Sequence, residues 1–155
     1  MKDKETLRKE ALIFAKEHHT GVLASSNLAG EVFASVIYFG IKDDFTVYFA
    51  TSHSTNKFKN IVLNKKVAFC IGTGPEYKSI QIRGNAEMVF EDKQQEGIDL
   101  LESLYKDHPK EEWPINLVSK LKEGGFVLVK ITPTNVSYLD INQFSTDNNI
   151  YELYS

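Results

Sequence analysis

The sequence predicts a mostly antiparallel β-barrel with two or three added helices. Three observations predict it. About seven short β-runs follow one another in hairpin order, no βαβ alternation occurs, and ten Phe with seven Tyr suit a β-rich core. At 155 residues the chain is long enough to bury about two thirds of its unfolded surface, so a single domain over 1–141 is expected, with 142–155 as a C-terminal tail.

Leu7, Ala11, Leu12, Phe14 and Ala15 recur at helical spacing between charges, which predicts an amphipathic helix over about 4–18. Residues 21–25 read as a strand and 27–30 as a turn. Residues 32–39 read as a second strand, apolar on both faces. After a turn at 42–44, residues 46–50 form a third β-run, followed by a hydroxyl-rich loop that ends at Lys57. Phe58, Ile61 and Val62 then begin a helix that ends near Asn64. Residues 67–71 are a fourth strand, broken by Gly72 and Pro75. The long fifth strand, 79–90, alternates in its first half, and Gly84 marks a bulge or a close backbone approach. Ile98, Leu101, Leu104 and Tyr105 mark a helical face within 93–106 despite Gly97. Trp113 and Pro114 begin a short helix reaching about Leu121, and Gly124-Gly125 ends it. Residues 126–131 and 135–141 read as two more strands around Thr132-Pro133. The polar stretch 142–149 reads as loose, and 150–154 as able to dock on a partner.

A net charge of −3 and a pI near 5.8 argue against general nucleic-acid or anionic-membrane binding, which needs a broad basic face. Cys70 is the single cysteine, so no intramolecular disulfide or cysteine–zinc cluster forms. Within the apolar run 67–71 it reads as a small buried hydrophobe. The charged residues at 2–5 lack the apolar core of a signal peptide and no run reaches membrane-spanning length, so a cytoplasmic address is expected. Neither the His18-His19 pair nor any spacing indicates a metal site, and no metal is expected.

The local charge pattern singles out one stretch. No Asp or Glu occurs from Phe45 through Pro75, while Lys57, Lys59, Lys65 and Lys66 do; the rest of the chain holds 14 basic against 21 acidic side chains. Ser54 or Thr55 can cap the helix, which places Asn56 and Lys57 in its first turn. A cation there opposes the helix dipole, and an anion held between it and the free N–H groups would account for it. On spacing alone, a solvated helix start with an ordinary Ser/Thr cap reads as well. Gly-Lys-Ser/Thr is absent, so this is not a Walker loop.

The succession Val47-Tyr48-Phe49-Ala50-Thr51, then Ser52 to Asn56, Lys57, Asn60-Ile61 and Asn64-Lys65-Lys66-Val67-Ala68 is similar to the pyridoxamine 5′-phosphate oxidase-related, FMN-binding split-barrel superfamily. Ile80-Gln81-Ile82-Arg83-Gly84-Asn85-Ala86, the opening hairpin 21–38 and the late stretch 131–140 resemble it too. The resemblance implies a homodimer with FMN at its interface. It implies that Asn56 and Lys57 meet the FMN phosphate, that Ala50, Thr51, Ser52 and Thr55 surround it with hydroxyl or backbone donors, that Ser35, Val36, Ile37 and Tyr38 line the isoalloxazine, and that Ser79 approaches from a far strand. Trp113, Tyr105, Tyr151 and Tyr154 are candidates for the partner's contribution. A lone Trp beside Pro reads more simply as a packing anchor, and His53 as an exposed loop residue.

Asn56 stands where relatives often carry Arg, and Ser35 replaces a commonly basic position. Each change removes a charge-assisted bond to phosphate, about 1.5–3 kcal/mol. Beyond Gly125 the only cation is Lys130, so the late basic residues by which true pyridoxamine-phosphate oxidases hold substrate are missing. The expected function is therefore flavin-dependent oxidation or reduction of an unidentified small molecule. The alternatives are a non-catalytic flavin-binding or stress-related protein, or a split barrel that binds haem or a deazaflavin.

Overall fold

The computed structural model describes residues 2–72, 74, 75, 77–141 and 150–154, with Ile150, Tyr151 and Tyr154 described by backbone alone. The first helix, α1 (Lys4–Lys16), starts where the Asp3 carboxylate accepts the Thr6 N–H at 2.8 Å, and Leu7, Ala11, Phe14 and Ala15 form its buried stripe. There follow β1 (Thr20–Ser26), β2 (Val32–Tyr38), β3 (Gly40–Ile41), β4 (Val47–Ser52), α2 (Asn56–Leu63), β5 (Lys66–Ile71), β6 (Lys78–Val89), a 3-10 turn at Glu91–Lys93, α3 (Gln95–Asp107), α4 (Leu117–Lys122), β7 (Phe126–Asp140) and β8 (Ile150–Tyr154).

The eight strands form one antiparallel sheet in the order β2-β1-β5-β6-β7-β4-β3, with β8 also on β7. One edge of β7 is shared: its first half pairs with β4 and its second half with β8. The sheet curls until β2 and β4, far apart in strand order, touch. The inner face encloses the main core, with Phe39, Phe49, Phe69, Ile80 and Ile82 closed over by α1. A second core on the outer face holds Tyr48, Leu101, Trp113, Leu117, Val118 and Leu128 beneath α3 and α4. β4 therefore buries both faces, which explains its unbroken apolar run. Gly97 makes the close approach of α3 possible, since a Cβ there would stand 2.6 Å from the Tyr48 ring. The Tyr48 hydroxyl donates to Glu96 at 3.0 Å, and Lys42 reaches the same carboxylate at 2.6 Å.

Several expectations differ from the structure. Pro133 does not divide the late strand: β7 runs unbroken over 15 residues. Proline needs a place where its missing N–H is harmless, and it lies opposite Gly84, where the β6–β7 register shifts. A Cβ on Gly84 would stand 2.2 Å from the Thr132 carbonyl oxygen. The last helix starts at Leu117, not at Trp113, because Asn116 is the residue that caps it, accepting the Ser119 N–H at 3.0 Å. β2 is apolar on both faces in composition, yet Val32 and Val36 are 74% and 67% exposed, because the strand pairs only with β1 and ends the sheet. Cys70 is half-buried, since alternation along β5 turns it to the face opposite Phe69 and Ile71. Segment 150–154 pairs with the chain's own β7, and Leu153 enters the main core. The expectation for 142–149 lies outside the described residues. Among the described residues no helix is long and apolar enough to cross a membrane.

Candidate functional site

The loop after β4 is set by hydroxyl chemistry. Thr55 is the N-cap of α2: its Oγ accepts the Phe58 N–H at 3.3 Å and donates to the Ser52 carbonyl at 3.0 Å. Thr51 Oγ lies 3.0 Å from Thr55 Oγ. Thr55 has one hydroxyl proton and gives it to Ser52, so Thr51 must be the donor of that pair. Thr51, 2% exposed, thus shapes the turn and has no hydroxyl proton left for a ligand. Ser52 and Ser54 pair Oγ to Oγ at 3.0 Å on the exposed side and remain adaptable.

The cap leaves one gap. The Thr55 N–H goes to the Ser52 carbonyl and the Phe58 N–H to Thr55, so the N–H groups of Asn56 and Lys57 have no protein acceptor among the described residues. The first turn of α2 contains no acid. Lys57 is half-buried and has no ion pair among the described residues, and burial pushes its ammonium below the usual lysine range. Asn56 is exposed beside it. Buried Asn60 donates to the Ser25 hydroxyl at 3.1 Å and fixes α2 against β1. The start of α2 therefore offers two N–H donors, a half-buried lysine and the adaptable Ser52–Ser54 hydroxyl pair, a donor set suited to a phosphate.

The other expected residues divide. The contact of β2 with β4 brings the elements of Ser35–Tyr38 and Ala50–Ser52 together. Along β2, Ser35 is half-buried and Val36 exposed. Ile37 is 5% exposed in the main core, so it can offer a ligand only its backbone. Tyr38 packs with the second core, 5.3 Å from the Trp113 ring, and Ala50 packs there too. Ser79 is not brought to this group within one chain, because β6 pairs with β5 and β7. It lines a separate cleft of about 260 Å³ with Gln81, Arg83, Ser137, Leu139 and Glu152. Trp113 is 1% exposed and so is a packing anchor closed to any partner. Tyr105 is half-buried against the same core, and the side chains of Tyr151 and Tyr154 lie outside the described residues. His53 is exposed, 3.2 Å from the Gly125 carbonyl.

One cluster was not legible in spacing. His19, from the α1–β1 junction, stands 3.2 Å from Glu112 and 4.1 Å, ring to ring, from His108. Burial, with His108 adding to it, pushes the His19 imidazole below its usual range. His19 lies some 90 positions from His108 and Glu112, and no local pattern joins it to them.

Similarity to known proteins bears on the fold. Campylobacter jejuni ChuZ is similar at a TM-score of 0.75 and 17% identity, over 100% of this chain and 62% of that one. The heme binding protein from Mycobacterium smegmatis is similar at 0.68 and 15%, over 94% of this chain but 57% of its own. The General Stress Protein 26 from Bacillus anthracis is similar at 0.63 and 21%, over 95% of this chain and 98% of its own. The chain thus spans about three fifths of the first two. No curated protein matches. The model of the family described as Pyridoxamine 5′-phosphate oxidase matches residues 7–140, and the sheet is the split barrel of that group; the chain belongs to this family.

Proposed function

We propose that this chain binds FMN at the start of α2 and acts, as a homodimer, in flavin-dependent oxidation or reduction of a small molecule. The carrying observation is Lys57, half-buried at a helix start where two N–H groups have no protein acceptor among the described residues and the first turn holds no acid. A phosphate there offsets the desolvation of the ammonium and satisfies both donors. Asn56 and Ser52 add neutral hydrogen bonds. Thr51 and Thr55 hold the loop in shape. β2 pairs on one side only, so unpaired backbone groups of its free edge can meet the polar rim of a flavin ring along Ser35–Tyr38.

The flavin supplies electron or hydride transfer, and the protein supplies position and a dry wall. Oxidation of a vitamin B6 phosphate is not part of this reading, given the single cation after Gly125. A homodimer is supported by apolar exposure: Val32, Val36, Val62 and Leu63, on the touching elements β2 and α2, are each at least half exposed. Heme is the second reading, because the fold is shared with a heme binding protein.

The test is titration of the purified protein with FMN, following flavin fluorescence, and in parallel with hemin. Saturable quenching at one FMN per chain supports the reading. Saturation by hemin with no response to FMN overturns it in favour of the second reading. Bound flavin that neither NADH, NADPH nor a chemical reductant can turn over with any acceptor would leave binding and remove catalysis.

A further inference from the structure

We propose that His19, His108 and Glu112 form a binding site for a divalent transition-metal cation of the zinc type, separate from the phosphate loop. One ligand atom from each lies within 4.8 Å of the other two. In a tetrahedral site with metal–ligand bonds of about 2.0–2.1 Å, neighbouring ligand atoms stand about 3.4 Å apart. His19 Nε2 and Glu112 Oε2 already stand at 3.2 Å. Closing the set therefore needs shifts of at most about 1.4 Å, within the reach of side-chain rotation at exposed Glu112 and half-buried His108.

Each ligand is held by backbone chemistry. His108 follows the last turn of α3, with Nδ1 2.9 Å from the Leu104 carbonyl. A carbonyl only accepts, so Nδ1 carries the proton and the Nε2 lone pair of the neutral ring stays free for a metal. Glu112 lies in a turn closed by its own N–H and that of Trp113, both donating to the Pro109 carbonyl at 3.0 Å, and the buried Trp113 ring pins that turn. The His19 ring lies edge-on to Trp113 at 5.9 Å, and its Nδ1 is buried with no hydrogen-bond partner among the described residues. The Nε2 of His108 is thus left unused, while the Nε2 of His19 already faces Glu112, so a metal would take the place of the proton that now joins those two.

Two imidazoles and a carboxylate match zinc-like ions. Calcium and magnesium take oxygen sets and copper(I) takes sulfur. Glu112 is 53% exposed on its side chain, so the site opens to water there and a solvent molecule can complete four-coordination. The ligands come from the α1–β1 junction, the end of α3 and the turn before α4, so a bound ion clamps three segments together. Trp113 touches both His19 and Tyr38, which sets this clamp behind the wall of β2.

The experiment is a calorimetric titration of the chelator-stripped full chain with Zn2+, paired with thermal melting. One ion per chain is expected, with a rise in Tm. Glu112→Gln should weaken binding about tenfold or more, and His108→Ala should abolish it. Both change accessible side chains, and circular dichroism checks that the fold persists. His53→Ala, in the exposed loop, should leave the affinity unchanged. Wild-type affinity no greater than that of a His108→Ala/Glu112→Gln double variant would overturn the proposal, as would loss of binding in His53→Ala.

Discussion

In the proposed FMN complex, replacing Lys57 with alanine separates the phosphate from the rest of the ligand. Asn56 is neutral, the first turn of α2 holds no acid, and exposed Lys59 lies about 200° round the helix from Lys57, so it does not stand in for the missing charge. One hydrogen bond to a charged group is worth about 1.5–3 kcal/mol, which raises the Kd for FMN about 10- to 150-fold. Stability should move the other way or not at all. The ammonium has no ion pair among the described residues and is held below its usual range by burial, so removing it relieves a cost; the melting temperature should stay within about 1–2 °C or rise. Fluorescence titration with FMN and with riboflavin, which lacks the phosphate, is the assay. FMN should lose affinity in Lys57→Ala while riboflavin keeps it, and the FMN difference should shrink at high salt. Less than a threefold loss for FMN, or a parallel loss for riboflavin, would refute the placement of the phosphate.

Val36→Glu puts a charge on the exposed edge strand; light scattering should show a dimer reduced to monomers, and an unchanged mass would remove β2 from the interface. Tyr48 has its phenol pushed up to about 12, by burial first and then by Glu96, whereas the unfolded chain titrates near 10. Above pH 10 the unfolded state loses this proton before the folded state does. The stabilisation is therefore complete below pH 10 and lost as pH rises through 12. Tyr48→Phe should flatten this part of the stability–pH curve, and an identical slope in parent and variant would contradict it.

Local rules recovered most elements because those elements have local causes. The Thr55 cap and the α1 stripe each rest on residues a few positions apart. Pro133 was misread because its tolerance depends on Gly84, nearly fifty residues away and adjacent only once β6 and β7 pair. Val32 and Val36 look like core in composition, and only the sheet order makes them an edge. In the site, the type and order of residues pointed to phosphate, but the assignment of one proton did not follow from them. Thr51 and Thr55 were equal donors in the sequence, and the hydrogen-bond chain through Ser52 takes Thr51 out of that role. Only folding brings His19 to His108 and Glu112.

The proposed site joins strands remote in the sheet order, so its geometry depends on twist accumulated elsewhere. The β6–β7 pairing is the longest in the sheet, and the bulge at Gly84 and Pro133 sits within it. A bulge increases local twist, and twist is what carries β2 round to β4. Alanine at 84 would force its Cβ against the Thr132 carbonyl at 2.2 Å, backbone that no side-chain rotation can clear. Overpacking of this kind costs about 1–3 kcal/mol, a fall in Tm of about 2–12 °C. Well below that Tm, the variant should also bind flavin more weakly, with a signature opposite to that of Lys57→Ala: FMN and riboflavin lose affinity together, because the ring wall and the phosphate loop separate while each keeps its own donors. A Gly84→Ala protein that melts lower but binds both ligands as the parent does would show that the bulge serves stability alone and that the β2–β4 closure is set by other contacts.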